Sequence, residues 1–333
     1  MIRKHIVLFI FSLHTLSSCI EEVEYPLPDL EDGVVLNGFL IPDSTIRVQL
    51  SRINPLTGSS DTFPAVENAT VSLSENGRVL GNLEHIGQGT YQFAYTPTPG
   101  YEYAVEATVP DYGTLMASDV VPLAPDVKSC YNQSDKEGNV ISNNTTIQTT
   151  VFDNRSVDEY YWFELAAITF AQREGDLCTL QGDSMICLSE YDSSRLVREK
   201  KHFLYSRSIE ADKFNAFVDN TVQGYYYFDN YLRITDETFD GQTITVDIKT
   251  YERPFARLSD LDAQESVMLN VYSGSRTFDR YMKSALINYL NTAFEDPNPF
   301  VATSKVYSNV EGGTGIFASY IPTSIALERH PCD

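Results

Sequence analysis

The sequence predicts a mainly β protein: an N-terminal immunoglobulin-like β-sandwich, then a second β-rich (α+β) domain with one amphipathic helix near the carboxyl end. Three observations support this prediction. Apolar and polar residues alternate with a period of two in many short segments, which is typical of half-buried strands. Turn-forming residues separate these segments at regular intervals. The chain of 333 residues also contains 21 Tyr and 18 Phe but a single Trp, a composition that suits sheet faces.

The first domain is predicted over residues 33–122. Its clearest strand signal is the alternation in residues 46–51, and the dipeptide Asn76-Gly77 indicates a tight hairpin turn. The predicted strands of this domain span residues 34–40, 46–51, 69–73, 91–95, 101–107 and 116–121. Several short strands over about 90 residues are typical of an immunoglobulin-like sandwich.

The second domain is predicted over residues 123–333, after a boundary marked by Pro122 and Pro125. Residues 172–201 look like a long polar excursion. The predicted strands span residues 145–152, 160–166, 225–228, 243–248 and 267–272. One helix is predicted over residues 275–292, because apolar residues recur there at steps of three and four.

The amino terminus resembles the leader of a bacterial lipoprotein precursor. Arg3 and Lys4 precede an apolar run over residues 6–13, which is too short to span a bilayer as a helix. Residues 16–19, Leu-Ser-Ser-Cys, resemble a lipobox. The resemblance implies that residues 1–18 are a signal peptide and that Cys19 carries lipid. An ordinary secretory signal with a chance cysteine is the alternative.

Residues 19–32 are predicted to be an acidic, Pro-containing tether between the lipid and the fold. Residues 20–24, Ile-Glu-Glu-Val-Glu, resemble the surface-export signal of Bacteroidetes lipoproteins. The resemblance implies a protein anchored by lipid to the outer membrane and exposed at the cell surface. A solvated acidic tether without a sorting role is the competing interpretation.

The charge of the chain excludes a nucleic-acid partner. The sequence has 46 Asp and Glu against 24 Lys and Arg, a formal net charge of −22, whereas phosphate binding needs clustered cations. No His-Glu-x-x-His or Gly-x-Ser-x-Gly pattern occurs. We therefore expect no catalytic residue, metal or cofactor.

Two oxygen-rich clusters could bind calcium, but neither follows the spacing of a twelve-residue calcium loop. The first is residues 153–159, and the second consists of Asp229, Asp236, Glu237 and Asp240. Solvated acidic loops are the favoured interpretation of both clusters.

Four cysteines remain after lipidation, and an even number in an exported chain favours disulfides. We expect a local bridge between Cys178 and Cys187 and a long-range bridge between Cys130 and Cys332. A thiolate metal site is the alternative, although the paired two-residue spacings of zinc ribbons are missing.

An aromatic run over residues 225–228, followed by Tyr231, indicates a contact surface. Successive strand residues point to opposite faces, so some of these rings belong to the core and others to the surface. We interpret Tyr225, Tyr227 and Tyr231 as contacts for a glycan or peptide ligand.

Several motifs resemble those of a Bacteroidetes lipoprotein family catalogued as domain of unknown function 4249. They cover residues 35–43, 48–51, 68–73, 89–91, 239–241, 278–286, 298–300 and 306–317. The last block, with Gly312, Gly313 and Gly315, is the most distinctive of them. The resemblance implies a cell-surface lipoprotein that accompanies a TonB-dependent outer-membrane transporter, and it supplies no catalytic residues.

The sequence therefore leads us to expect a surface lipoprotein without catalytic activity. Its expected role is that of an accessory or ligand-binding partner of a TonB-dependent receptor. A secreted hydrolase of glycans or peptides, and an adhesin or envelope-structural module, are the alternatives.

Overall fold

A computed structural model describes eleven segments of the chain. These are residues 33–53, 63–132, 145–153, 158–172, 177–181, 184–188, 198–202, 231–236, 239–250, 262–292 and 305–327. Cys19, Tyr225, Tyr227 and Cys332 lie outside them.

The described segments form eighteen strands and one helix. In chain order these are β1 (Val34–Leu40), β2 (Ile46–Arg52), β3 (Thr70–Glu75), β4 (Arg78–Asn82), β5 (Glu84–Gly87), β6 (Thr90–Phe93), β7 (Glu102–Val109), β8 (Gly113–Val120), β9 (Asp126–Asn132), β10 (Thr145–Phe152), β11 (Tyr160–Gln172), β12 (Leu177–Gln181), β13 (Ser184–Leu188), β14 (Arg198–His202), β15 (Tyr231–Thr235), β16 (Thr243–Thr250), β17 (Asp262–Gly274), α1 (Arg276–Thr292) and β18 (Thr314–Ala326). The prediction of a mainly β fold with one helix near the carboxyl end is confirmed.

A nine-stranded sheet is the framework of the described fold. Its order is β14-β11-β17-β18-β1-β2-β6-β5, and β15 also pairs with β11. The last strand, β18, lies in the middle of the sheet. It runs parallel to β1, with Val35 opposite Thr314, and antiparallel to β17, with Leu269 opposite Ile325. This sheet therefore crosses the boundary predicted at residues 122 and 123.

The N-terminal sandwich forms where a four-stranded sheet, β4-β3-β7-β8, packs on one half of the nine-stranded sheet. Period-two patterning explains the packing, because alternate residues such as Val71 and Leu73 point into the core and are about 1% exposed. Phe317 of β18 is fully buried in the same core. The sandwich is thus completed by a strand from the far end of the chain.

A three-stranded sheet, β16-β10-β9, packs on the other half of the nine-stranded sheet. Ile147 of β10 and Ile248 of β16 meet Phe163 of β11 in a second core, and all three side chains are fully buried. Both smaller sheets cover the same face of the large sheet, since Phe317 and Ile325 both lie at odd positions of β18.

Helix α1 covers part of the opposite face. Ser275 caps its amino terminus, because the Ser275 hydroxyl accepts a hydrogen bond from the Phe278 amide at 3.0 Å. The Ser275 amide in turn donates to the Ser319 carbonyl on β18 at 3.0 Å. Phe278 and Tyr281 then pack on Phe39 of β1. The helix therefore begins one residue from its predicted start.

The glycine-rich block at the start of β18 is explained by close backbone approach. Gly312 and Gly315 have φ angles of 77° and 121°. A Cβ at Gly312 would collide with the Thr114 carbonyl oxygen, and one at Gly315 with the Leu36 carbonyl oxygen. Only glycine fits such positions without displacing the backbone.

The same block covers the edge of strand β8. Met116 and Glu311 exchange two backbone hydrogen bonds, at 3.0 and 2.8 Å. The Asn309 amide donates to the Ser118 carbonyl at 3.1 Å and also bonds both backbone groups of Phe317. Both backbone groups of Met116 and the Ser118 carbonyl, which an edge strand would otherwise expose, are thereby occupied.

The region predicted as a polar excursion contains regular structure. Strands β12 and β13 form an antiparallel hairpin, and β14 joins the edge of the nine-stranded sheet. Polar residues dominate β14, so hydrophobic patterning gave no signal there.

Candidate functional site

The candidate site lies on the helix-covered face of the nine-stranded sheet, and we call it the helix-side cluster. Its buried members are Trp162, Phe278, Ile316 and Ala318. Its half-buried members are Phe39, Tyr231, Tyr272, Tyr281, Met282, Leu286, Tyr307 and Tyr320. Half-buried aromatic rings outnumber buried ones here, whereas the other two cores consist mainly of buried side chains. An accessible aromatic surface of this kind suits ligand contact.

A buried ion pair lies next to the helix-side cluster and contacts its member Trp162. The Arg233 guanidinium donates to both carboxylate oxygens of Asp279, at 2.5 and 2.8 Å. The Trp162 indole donates to the same carboxylate at 3.1 Å. Arg233 and Asp279 are 5% and 4% exposed, so the pair is removed from solvent. It joins β15 to α1 through a planar, bidentate contact.

A polar row crosses the same face of the sheet next to this pair. Glu164, Asn270 and Ser324 lie directly opposite one another on β11, β17 and β18. The Ser324 hydroxyl donates to Asn270 Oδ1 at 2.8 Å, and the Asn270 amide donates to Glu164 Oε2 at 3.2 Å. The Tyr272 hydroxyl also donates to Glu164 Oε2, at 3.1 Å. Burial and the neighbouring Glu164 carboxylate raise the pKa of Tyr272.

Tyr231 is the one predicted ligand contact that the structure describes. It is half-buried, lies directly opposite Glu164 on β15, and meets the Trp162 ring edge-on with centroids 6.3 Å apart. Tyr272 meets Tyr320 in a similar way at 6.0 Å. Tyr231 therefore belongs partly to the core and partly to the accessible rim, and its ligand role stays a prediction.

The two acidic clusters of the sequence meet in space at the ends of β10, β11 and β15. Asp236 accepts a hydrogen bond from the Glu159 amide at 2.7 Å, and Asp153 accepts one from the Gly241 amide at 2.6 Å. The Tyr161 hydroxyl donates to Glu159. Burial, together with the charges of nearby carboxylates, raises the pKa of Asp236 to about 6. These carboxylates thus tie strand ends together.

Metal-ligating geometry is not found in the described segments. No group of three or more His, Cys, Asp or Glu side chains among them is arranged to hold a metal ion. Asp229 and Glu237, from the second sequence cluster, lie outside these segments.

The predicted cysteine pairs are described only in part. Cys178 and Cys187 lie directly opposite each other in the β12–β13 hairpin, where the backbone spacing of antiparallel partners suits a disulfide. Cys130 on β9 is disulfide-bonded, and it is the one cysteine whose side chain the structure describes. The pairing with Cys332 stays a prediction, as does lipid on Cys19.

Another buried carboxylate, Asp119, joins the N-terminal sandwich to the helix. Its Oδ2 lies 2.6 Å from the hydroxyl oxygens of both Ser275 and Ser319. Burial raises the pKa of Asp119, although the hydroxyl contacts act in the opposite direction. This carboxylate connects β8, β18 and the beginning of α1, which indicates a structural role.

Sequence reasoning missed four polar residues on the same face as the helix-side cluster: Glu164, Arg233, Asn270 and Asp279. One signal was present, because Arg233 and Glu164 interrupt the apolar strand segments Leu232–Ile234 and 160–166. A charged residue within such a segment is seldom buried without a partner. The partners themselves are distant in sequence, since Arg233 and Asp279 are 46 residues apart.

Among the described residues, two smaller sheets pack on one shared sheet, and one helix lies over its aromatic and polar face. The chain belongs to the family described as Domain of unknown function (DUF4249), whose model matches residues 20–326. No curated protein matches the chain. In the described segments, no helix is long and apolar enough to cross a membrane.

Proposed function

We propose that this protein is a cell-surface lipoprotein of the outer membrane that binds rather than catalyses. Lipid on Cys19 anchors it, residues 19–32 form the tether, and the fold presents the helix-side cluster to a ligand or to a TonB-dependent receptor. The lipobox-like residues 16–19 and the acidic segment 20–24 support the location. The membership in the family supports the resemblance on which the transporter partnership rests.

One observation carries the proposal of binding over catalysis: three buried carboxylates, those of Asp119, Glu164 and Asp279, each accept internal hydrogen bonds. Asp279 accepts from Arg233 and Trp162, Glu164 accepts from Asn270 and Tyr272, and Asp119 contacts two serine hydroxyls. Carboxylates with such partners stabilise a scaffold, whereas a general acid or base must face the substrate. Half-buried aromatic rings beside them offer contact area.

The anchor is tested by labelling cells with an alkyne analogue of palmitate. The wild-type chain is expected to take up the label and to fractionate with the outer membrane. Cys19→Ser is expected to lose the label, and Ser18→Ala is the control that keeps it. An unlabelled wild-type chain contradicts the lipoprotein assignment.

The partnership is tested by affinity purification from detergent-solubilised outer membranes of the source bacterium. We expect a TonB-dependent receptor to co-purify with the wild-type chain and to be reduced severalfold by Tyr231→Ala. Tyr101→Ala removes a tyrosine that is 42% exposed on the N-terminal sandwich, and it should leave recovery unchanged. Purification without any such receptor contradicts the proposed role.

A further inference from the structure

The hydrogen bonds of the polar row all run in one direction. The Ser324 hydroxyl donates to Asn270, and both the Asn270 amide and the Tyr272 hydroxyl donate to Glu164. Each donor therefore uses a proton on the side that faces Glu164, which is 2% exposed. A hydroxyl has one proton and two acceptor lone pairs, so the outward sides of Ser324 and Tyr272 are acceptors.

The accessible end of the row is consequently rich in acceptors. Ser324 is exposed, and Asn270 and Tyr272 are half-buried. Apart from one amide hydrogen of Asn270, these three side chains present lone pairs to a ligand. A ligand that fits them donates hydrogen bonds and needs to accept few.

Aromatic rings flank these acceptors. The ring of Tyr272 belongs to the row itself, Tyr320 meets it at 6.0 Å, and half-buried Tyr231 lies directly opposite Glu164. The electron-rich face of a tyrosine ring attracts a cation within about 6 Å. Acceptor lone pairs and ring faces together are the groups that recognise organic cations.

We propose that the face formed by Tyr231, Asn270, Tyr272 and Ser324 binds the ammonium or guanidinium group of a basic peptide. An ammonium group only donates hydrogen bonds, which matches a row whose protons, apart from one amide hydrogen of Asn270, are already committed. A neutral glycan accepts as many hydrogen bonds as it donates, and an anion only accepts, so both fit less well. The net charge of −22 attracts the same class of ligand over longer distances.

This inference rests on the proposed binding function and names the ligand class for the same site. Trp162 supplies an internal reporter, since it is the only tryptophan in the chain, is buried in the helix-side cluster, and packs on Tyr231. A change in its fluorescence therefore reports an event at this face. The mature chain from residue 19 onward is titrated with trilysine, maltotriose and triglutamate.

We expect trilysine to give a saturable fluorescence change that weakens at least fivefold between 0.05 and 0.5 M salt. Maltotriose and triglutamate are expected to bind at least tenfold more weakly than trilysine. No saturable change with trilysine overturns the inference. Equal or tighter binding of maltotriose overturns it in favour of a glycan.

A matched pair of lysine substitutions locates the site. Ser324→Lys places a cation on the exposed end of the row and should weaken trilysine binding at least tenfold. Ser118→Lys adds the same charge to an exposed serine on β8, in the four-stranded sheet, and should change binding by less than twofold. Equal weakening by the two variants means that trilysine binds through net charge alone, which overturns the assigned site.

Tyr272→Phe separates the role of the hydroxyl from that of the ring. We expect about threefold weaker trilysine binding and a lower thermal midpoint, because the ring and its packing remain but the buried Glu164 carboxylate loses one hydrogen bond. Trilysine binding as tight as that of the wild type contradicts a role for the Tyr272 lone pairs.

The two proposals fail in different ways. If a receptor is recovered from outer membranes but trilysine does not bind saturably, the accessory role is supported and the cation site is contradicted. If trilysine binds, Ser324→Lys abolishes this binding, and no receptor is recovered, the cation site is supported and the transporter partnership is contradicted.

Discussion

Asp236 is a buried carboxylate that lies close to other carboxylates. Its folded-state pKa is about 6, above the ordinary value of 3.8, so the folded chain binds this proton more tightly than the unfolded chain does. Its contribution to stability is therefore greatest below pH 4 and declines as the pH rises from 4 to 6. Repulsion and burial of the charge act against the fold at neutral pH.

Asp236→Asn is expected to stabilise the protein at pH 7 by roughly 1–3 kcal/mol and to have little effect at pH 4. The amide oxygen can still accept from the Glu159 amide, while the charge is removed. Urea unfolding at the two pH values measures the difference. Asp240→Asn, at an exposed position of the same cluster, is the control with a smaller effect. If Asp236→Asn changes the free energy of unfolding equally at both pH values, the raised pKa of Asp236 is contradicted.

The Arg233–Asp279 pair has the opposite character, because two buried charges neutralise each other. Removing one partner leaves the other charge buried and uncompensated. Arg233→Met is expected to cost about 3–5 kcal/mol. Arg233→Met combined with Asp279→Leu should cost less than the sum of the two single variants. Unfolding followed by Trp162 fluorescence gives the coupling energy, and additive costs contradict a direct pair.

At the scale of single residues, the sequence identified candidate polar groups. It did not show which of these groups contact each other in the fold. The two acidic clusters were recognised, yet their convergence on Asp236 depends on strand ends that are 77 residues apart at Glu159 and Asp236. Arg233 was visible as a charge inside an apolar strand, and its partner was not. Pairing across such separations is set by the sheet order, which local patterns do not encode.

At the scale of elements, the glycine block at the start of β18 carries a sharp steric requirement. Gly315 and Gly113 have similar φ angles, 121° and 133°. A Cβ at Gly315 would collide with the backbone of Leu36, whereas one at Gly113 would have no neighbour within 4 Å. The pair therefore separates steric collision from the cost of the φ angle.

Gly315→Ala is expected to cost about 3 kcal/mol or more, and Gly113→Ala roughly 1–2 kcal/mol. The collision at Gly315 moves β1 away from β18, while Gly113→Ala only strains its own backbone. Urea unfolding of both variants measures the two free-energy costs from the shifts in midpoint, provided that the denaturant dependence (m-value) is unchanged. Equal costs for the two variants contradict the close approach of β1 and β18.

Local patterns predicted the elements that carry their own signal. Helix α1 was predicted over residues 275–292 and spans Arg276–Thr292, because a period near 3.6 and a serine cap are local features. The β12–β13 hairpin and the polar strand β14 were missed, since their pairing is not accompanied by apolar alternation. The position of β18 between β1 and β17 could not be predicted from local patterns either, because it depends on pairing between strands that are distant in sequence.

At the scale of the whole molecule, the first sandwich depends on the end of the chain. Without β18, strand β1 becomes an exposed edge and the core loses Phe317. A fragment of residues 33–122 is expected to lack cooperative unfolding and to give a poorly dispersed proton NMR spectrum. Residues 33–333, which keep both Cys130 and Cys332, should fold and unfold in one transition. A dispersed spectrum from the short fragment contradicts this dependence and makes the predicted domain autonomous.

The central position of β18 also sets when the protein can fold. Residues 35 and 314 are neighbours in the sheet although they are about 280 residues apart in the chain. During synthesis residue 314 emerges long after residue 35, so the middle of the sheet cannot close before then. The pairing of β1 with β18 therefore forms only after β18 has been synthesised, and closing so long a loop makes this step slow.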